Sequence, residues 1–85
     1  MENVINLNVR LFASLRDKFS KESLEFSVPV GSSVSSFLRL FNLKYSAICS
    51  LDDSIMIAVN EEYADSSLVL ENGDEVALIP PVSGG

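Results

Sequence analysis

The apolar residues of this 85-residue chain switch repeatedly between a period of two and a period of about 3.6. That switching constrains the fold more than any other feature. Ile5, Leu7, Val9 and Leu11 alternate with Asn6, Asn8 and Arg10, which predicts a half-buried strand over 4–11. Phe12, Leu15 and Phe19 then follow helical spacing, with Arg16, Asp17 and Lys18 turned outward, so a short helix is expected over 12–19. Leu24, Phe26, Val28 and Val30 return to strict alternation. Pro29 near the end of this second strand cannot donate to a ladder, which places the strand toward a sheet edge. Gly31-Ser32-Ser33 breaks the pattern and offers a serine N-cap. Val34, Phe37, Leu38 and Phe41 stand at i, i+3, i+4 and i+7, the mark of an amphipathic helix over 34–42, expected to stop near Asn42.

The second half is strand-rich. Residues 43–54 carry no clear period and read as a partly helical loop. Ile55, Ile57 and Val59 predict a third strand, Asn60-Glu61-Glu62 a polar turn, and Tyr63-Ala64 the start of a short returning strand. Leu68 and Leu70 lead into Asn72-Gly73-Asp74, a strong turn signal. A last strand over 75–79 is stopped by Pro80. The order β-α-β-α-β-(β)-β is α+β: a mixed sheet of four to five strands, one main helix across one face, and a short helix after the first strand. Residues 1–79 are expected to form one domain and 80–85 an extended, flexible C-terminal tail.

Composition excludes several kinds of chemistry. The 47% hydrophobic content supplies a core and argues against disorder. Without histidine, and with Cys49 as the lone cysteine, there is no metal site of the usual spacing and no Ser-His or Cys-His pair. Cys49 lies between Ile48 and Leu51 with only Lys44 as a nearby base, which favours packing over nucleophilic chemistry. Asp52-Asp53 and Glu61-Glu62 fall at predicted turns, where carboxylates are ordinarily solvated. The net charge of −6, from twelve acids against six bases, disfavours nucleic acid and suits a basic protein partner. No apolar run follows Met1 and none is long enough to span a bilayer, so a cytoplasmic protein is expected.

With side-chain chemistry so sparse, the terminal Pro80-Pro81-Val82-Ser83-Gly84-Gly85 becomes the candidate reactive element. Two glycines pass through a slot that excludes any side chain. The prolines keep the root extended, and from Pro80 to Gly85 the tail reaches roughly 20 Å. Phe12, Tyr63 and Ile79 stand at a strand end, after a turn and just before this tail. They form either an exposed apolar patch for a protein partner or, for Phe12 and Ile79, part of the core.

Three segments carry a family resemblance. They are Arg10-Leu11-Phe12-Ala13-Ser14-Leu15-Arg16-Asp17, Val59-Asn60-Glu61-Glu62, and the block from Leu70 to Gly85 with Gly73-Asp74-Glu75-Val76 and Pro80-Pro81-Val82-Ser83-Gly84-Gly85. The chain resembles the small subunits of molybdopterin synthases, sulfur carriers of the ubiquitin-like β-grasp fold. The resemblance covers nearly the whole chain, with residues 20–54 matching in pattern only.

The resemblance implies that an E1-like enzyme uses ATP to adenylate the Gly85 carboxylate, and that a sulfur donor converts it to a thiocarboxylate. The tail then enters the large subunit, in a heterotetramer of two small and two large subunits. There it donates sulfur to cyclic pyranopterin monophosphate, forming the molybdopterin dithiolene in molybdenum cofactor biosynthesis. Catalytic side chains, an essential lysine among them, belong to the large subunit, so the small subunit is no enzyme on its own and binds no cofactor or metal. Phe12, Tyr63 and Ile79, with Pro80, Pro81, Val82 and Ser83, would contact partners. In that family an aliphatic residue is frequent where Tyr63 stands and an aromatic where Ile79 stands. Two other carrier-type readings share the fold and tail: a thiamin-type sulfur carrier, which usually lacks the Pro-Pro-Val-Ser step, and a ubiquitin-like protein modifier. A plain interaction domain with an inert tail is the third alternative.

Overall fold

The computed structural model describes residues 3–52 and 54–81. Its first strand, β1 (Val4–Leu11), alternates as the sequence does, with Ile5, Leu7, Val9 and Leu11 buried and the residues between them exposed. It pairs antiparallel with β2 (Ser23–Pro29), Leu7 opposite Phe26. The short helix α1 (Ala13–Phe19) connects them and ends at Ser20, whose left-handed φ of 57° turns the chain back. After α2 (Val34–Lys44) come β3 (Met56–Val59), β4 (Glu62–Tyr63) and β5 (Glu75–Ile79). The sheet order is β2-β1-β5-β3-β4. β5 runs parallel to β1 and antiparallel to β3, so the sheet is mixed, and β2 with its Pro29 lies at an edge as expected. This is the α+β, β-grasp arrangement that the resemblance implies.

One face of the sheet carries the core. Val9, Val76 and Leu78 are fully buried beneath α2, whose Phe37 and Phe41 are likewise sealed from solvent. Phe26 of β2 meets both rings, at centroid separations of 5.5 and 5.3 Å. Tyr45 closes the cluster 4.8 Å from Phe41. Such offset and edge-on contacts add to the area buried. Ser33 is the N-cap of α2, its hydroxyl accepting from the Ser36 N–H at 3.3 Å.

The helix runs on to Lys44, beyond the expected stop at Asn42. Asn42 does not end it because its amide is engaged elsewhere. Its Nδ2 donates to the Leu51 carbonyl at 2.9 Å, and its Oδ1 accepts from the Leu51 N–H at 2.8 Å. The loop that periodicity could not read is thus pinned to α2 by one side chain.

The turn before β5 is tied to β1 in the same way. The Gly73 N–H donates to the Asn6 carbonyl at 2.8 Å, and the Asn6 N–H donates to Asn72 Oδ1 at 2.8 Å. Gly73 has a φ of 88°, a conformation that favours glycine. These bonds set the register in which Val9 faces Val76.

Candidate functional site

The outer face of the sheet, away from α2, is built by three ladders in register. Arg10 stands beside Ala77, Ala77 opposite Ala58, and Ala58 opposite Tyr63. One step along, Leu11 faces Leu78, and two steps along Met56 faces Ile79, so Phe12 emerges at the end of β1 near Ile79. Two alanines in the middle of a row of larger side chains leave a hollow. It encloses about 240 Å³, with Phe12, Tyr63 and Ile79 as walls and Ala58 and Ala77 as floor. The structure therefore brings together the three apolar residues singled out from sequence. Phe12 and Ile79 are half-buried and lie outside the core cluster, while Tyr63 is 73% exposed. Tyr63 and Ile79 line the same hollow, so an aromatic residue at one wall and an aliphatic one at the other preserve its apolar character.

Local backbone features aim these walls. Ala13, directly after Phe12, has a φ of 52°, a left-handed conformation uncommon for a residue with a Cβ. It turns the chain sharply out of β1 and leaves Phe12 at the rim. Asn60 and Glu61 have φ values of 52° and 72°, the two left-handed residues of a tight hairpin matched to sheet twist. The turn is therefore two residues long, and Glu62, expected within it, instead starts β4. Asn60 Oδ1 accepts from the Glu75 N–H at 3.0 Å, and its Nδ2 donates to Asp74 Oδ1 at 3.0 Å. These two bonds bolt the hairpin that presents Tyr63 to the start of β5.

Sequence reasoning missed Ala58, Ala77 and Glu75, and singled out Glu61 only as a solvated turn carboxylate. The Arg10 guanidinium lies 5.2 Å from the Phe12 ring centroid and 3.7 Å from the Glu75 carboxylate, and Glu61 completes the lip. Small outward-facing residues on two strands were the available signal. It became informative only with the register known.

The hollow abuts the root of the C-terminal segment, because Ile79 precedes Pro80. Pro80 is half-buried and Pro81 exposed. They border a small trough of about 130 Å³ together with Lys18 of α1 and residues Cys49 and Leu51 of the pinned loop. Val82, Ser83, Gly84 and Gly85 lie outside the described residues. Cys49 belongs to the core cluster. Burial pushes its thiol above the usual range, partly offset by the nearby Lys18 ammonium. Of the two carboxylate pairs singled out from sequence, Asp53 lies outside the described residues. Asp52 accepts from both the N–H and the hydroxyl of Ser54, and these bonds hold its carboxyl below the usual range. Glu61 sits in the turn, whereas Glu62 is opposite the core-facing Val59.

The ThiS family model matches residues 9–85. The molybdopterin synthase sulfur carrier subunit of Arabidopsis thaliana is 33% identical over 95% of this chain and 84% of its own length. That of Dictyostelium discoideum is 35% identical over 91% and 93%. Among solved structures, the small archaeal modifier protein 1 of Methanosarcina acetivorans superposes with a TM-score of 0.75 at 29% identity, covering 98% of this chain and 99% of that one. The chain belongs to the ThiS family and, within it, groups with the molybdopterin synthase sulfur carrier subunits.

Proposed function

We propose that this chain is the sulfur-carrying small subunit of a molybdopterin synthase, with the carboxyl group of Gly85 as its working group. The observation that carries the reading is the placement of an apolar hollow directly before the Pro80-Pro81 tail root. One surface then docks a partner while the adjoining segment delivers its end into that partner's active site. The names of the curated relatives support the same assignment.

The chemistry follows from what a carboxylate lacks. It is a poor electrophile, because its oxygen leaves badly. An E1-like partner would let the Gly85 carboxylate attack ATP, releasing pyrophosphate and leaving an acyl-adenylate. A sulfur nucleophile from a donor then displaces AMP, and the product is a thiocarboxylate. In the large subunit the thiocarboxylate sulfur bonds to a side-chain carbon of the cyclic pyranopterin monophosphate as an oxygen substituent leaves that carbon. Water then cleaves the acyl–sulfur bond, which restores the Gly85 carboxylate and leaves the sulfur on the pterin. Two such deliveries supply the two sulfurs of the dithiolene, which suits an assembly of two small and two large subunits. The small subunit supplies the sulfur and the docking face. The large subunit supplies the catalytic side chains, so this chain needs no bound cofactor or metal. Residues 1–79 serve as the docking body, 80–85 as the delivery arm, and a free buried thiol suits a reducing cytoplasm.

The test is the intact mass of the protein before and after incubation with an E1-like activating enzyme, ATP and a sulfur donor. The expected gain corresponds to replacing one oxygen by sulfur, localised to Gly85. Added large subunit and pterin precursor should then yield molybdopterin. No gain, with an activating enzyme shown to work on its own carrier, overturns the reading. A thiocarboxylate that yields no molybdopterin points to the thiamin-type carrier. The likeness to an archaeal modifier protein favours a second reading, attachment of Gly85 to target lysines. Isopeptide conjugates in the same incubation would reveal it.

A further inference from the structure

The hollow on the outer sheet face is apolar inside, but its lip is not electrically neutral. Two carboxylates and one guanidinium stand on it. Glu75 is answered by Arg10 at 3.7 Å, and the same guanidinium lies against the Phe12 ring. Glu61 has no cationic partner among the described residues. Nor is it carried on a fraying loop. Its neighbour Asn60 is bonded through its side chain to Asp74 and to the Glu75 N–H, and its own N–H donates to the Glu75 carbonyl at 2.8 Å. An unanswered carboxylate is therefore held in a braced turn beside an open apolar cup.

We infer that this face takes a paired feature of the large subunit: an apolar side chain seated over Ala58 and Ala77, and beside it an arginine or lysine that pairs with Glu61. The inference rests on the proposed docking role and adds the chemistry of the occupant. Charge complementarity at an interface rim acts mainly on association rate and its salt dependence. The net charge of −6 steers the same basic partner from a distance. Glu62 provides an internal control. It has the same charge and is the next residue, but it pairs with Val59 on the core side of the sheet, whereas Tyr63 pairs with outward-facing Ala58.

Association kinetics of the full chain with its cognate large subunit, at low and at physiological salt, test the pairing. Glu61→Lys is expected to slow association by about tenfold at low salt and to flatten its salt dependence, with Glu61→Gln intermediate. Glu62→Lys should change the rate by less than about twofold. All three variants keep the backbone preferences of the original residue closely enough that equal thermal midpoints are expected. Equal slowing by Glu61→Lys and Glu62→Lys means that overall charge alone acts, and overturns the inference. Phe12→Asp, which puts a charge into the wall of the hollow, is expected to abolish binding; unchanged association by Glu61→Lys beside that loss removes Glu61 while leaving the docking face intact. Unchanged binding by Phe12→Asp as well removes the docking face itself.

Discussion

Ala58 stands directly opposite Ala77 across the β3–β5 ladder, and the hollow on the outer sheet face exists because both are small. A larger residue at either position would level the surface between Phe12, Tyr63 and Ile79. Ala77→Leu points its added bulk outward, since Val76 and Leu78 are the core-facing residues of β5. Its stability should therefore stay within about 1 kcal/mol of the parent. Affinity for the large subunit should fall at least about tenfold, since fully buried apolar anchors dominate interface energy. Titration calorimetry beside a urea unfolding curve separates the two effects. Parental affinity in a folded Ala77→Leu variant would show that nothing docks in the hollow.

Asn42 closes a bracket on Leu51 with bonds of 2.9 and 2.8 Å, which ties the loop around Leu51 back to α2. Asn42→Ala removes both bonds from a part-buried position. Each is worth about 1 kcal/mol net, so a loss of about 2 kcal/mol is expected. For a domain of this size that lowers the thermal midpoint by roughly 10 °C. Differential scanning calorimetry reads the shift directly. Because the loop also borders the trough at Pro80 and Pro81, amide exchange at Cys49 and Leu51 should quicken in the variant. A midpoint within a degree or two of the parent would show that the bracket carries no weight.

What could be read from sequence, and what could not, divides along physical lines. Alternation in 4–11 and the i, i+3, i+4, i+7 spacing of Val34, Phe37, Leu38 and Phe41 are consequences of burial on one face, so they survive in the sequence. The edge position of β2 was legible because Pro29 lacks an N–H. Period alone says that Ala77 faces away from Val76, but not that it meets Ala58. That register is imposed by long-range bonds such as Gly73 to Asn6, which leave no periodic trace. The end of α2 is not legible because Asn42 resembles a stop signal while its amide serves a residue nine positions away. The length of the turn before β4 is hidden for a similar reason: a left-handed Glu61 has no glycine to announce it, so a two-residue turn looks like three.

Cys49 supplies a dependence on pH. Burial raises its thiol above the usual range, with Lys18 offsetting part of the effect, so the folded state favours the protonated form. Above the ordinary thiol range the unfolded chain releases this proton while the folded chain retains it. The unfolded state then binds fewer protons, and stability falls as pH rises. The contribution is complete below the unfolded thiol's pKa and is lost as pH climbs through the folded value. Urea midpoints followed from about pH 7 to about pH 10 should therefore decline more steeply in the parent than in Cys49→Ala. Other groups titrate in the same window, but they are common to both proteins and cancel in the difference. Parallel curves would mean that the thiol is as free to ionise folded as unfolded.

The Gly84-Gly85 end is expected to separate function from folding completely. Among the described residues, every buried apolar residue of the core lies at or before Leu78 and the last strand ends at Ile79, so Gly84→Val should leave the urea midpoint unchanged. On the proposed function its valine must nevertheless enter both an adenylating site and a synthase site, and each would have to bring the terminal carbonyl within reach of a reacting atom. Misplacement by about 1 Å costs about a hundredfold in rate, so adenylation of Gly84→Val should fall by at least that factor. Supplying the variant as a chemically prepared thiocarboxylate bypasses the first site. Molybdopterin formation should remain equally impaired if the second site is as narrow. Ser83→Ala, which keeps both glycines, serves as the control and should retain most activity. Full sulfur transfer by Gly84→Val in this bypass would show that the large subunit tolerates bulk, leaving the activating enzyme as the sole reason for the paired glycines.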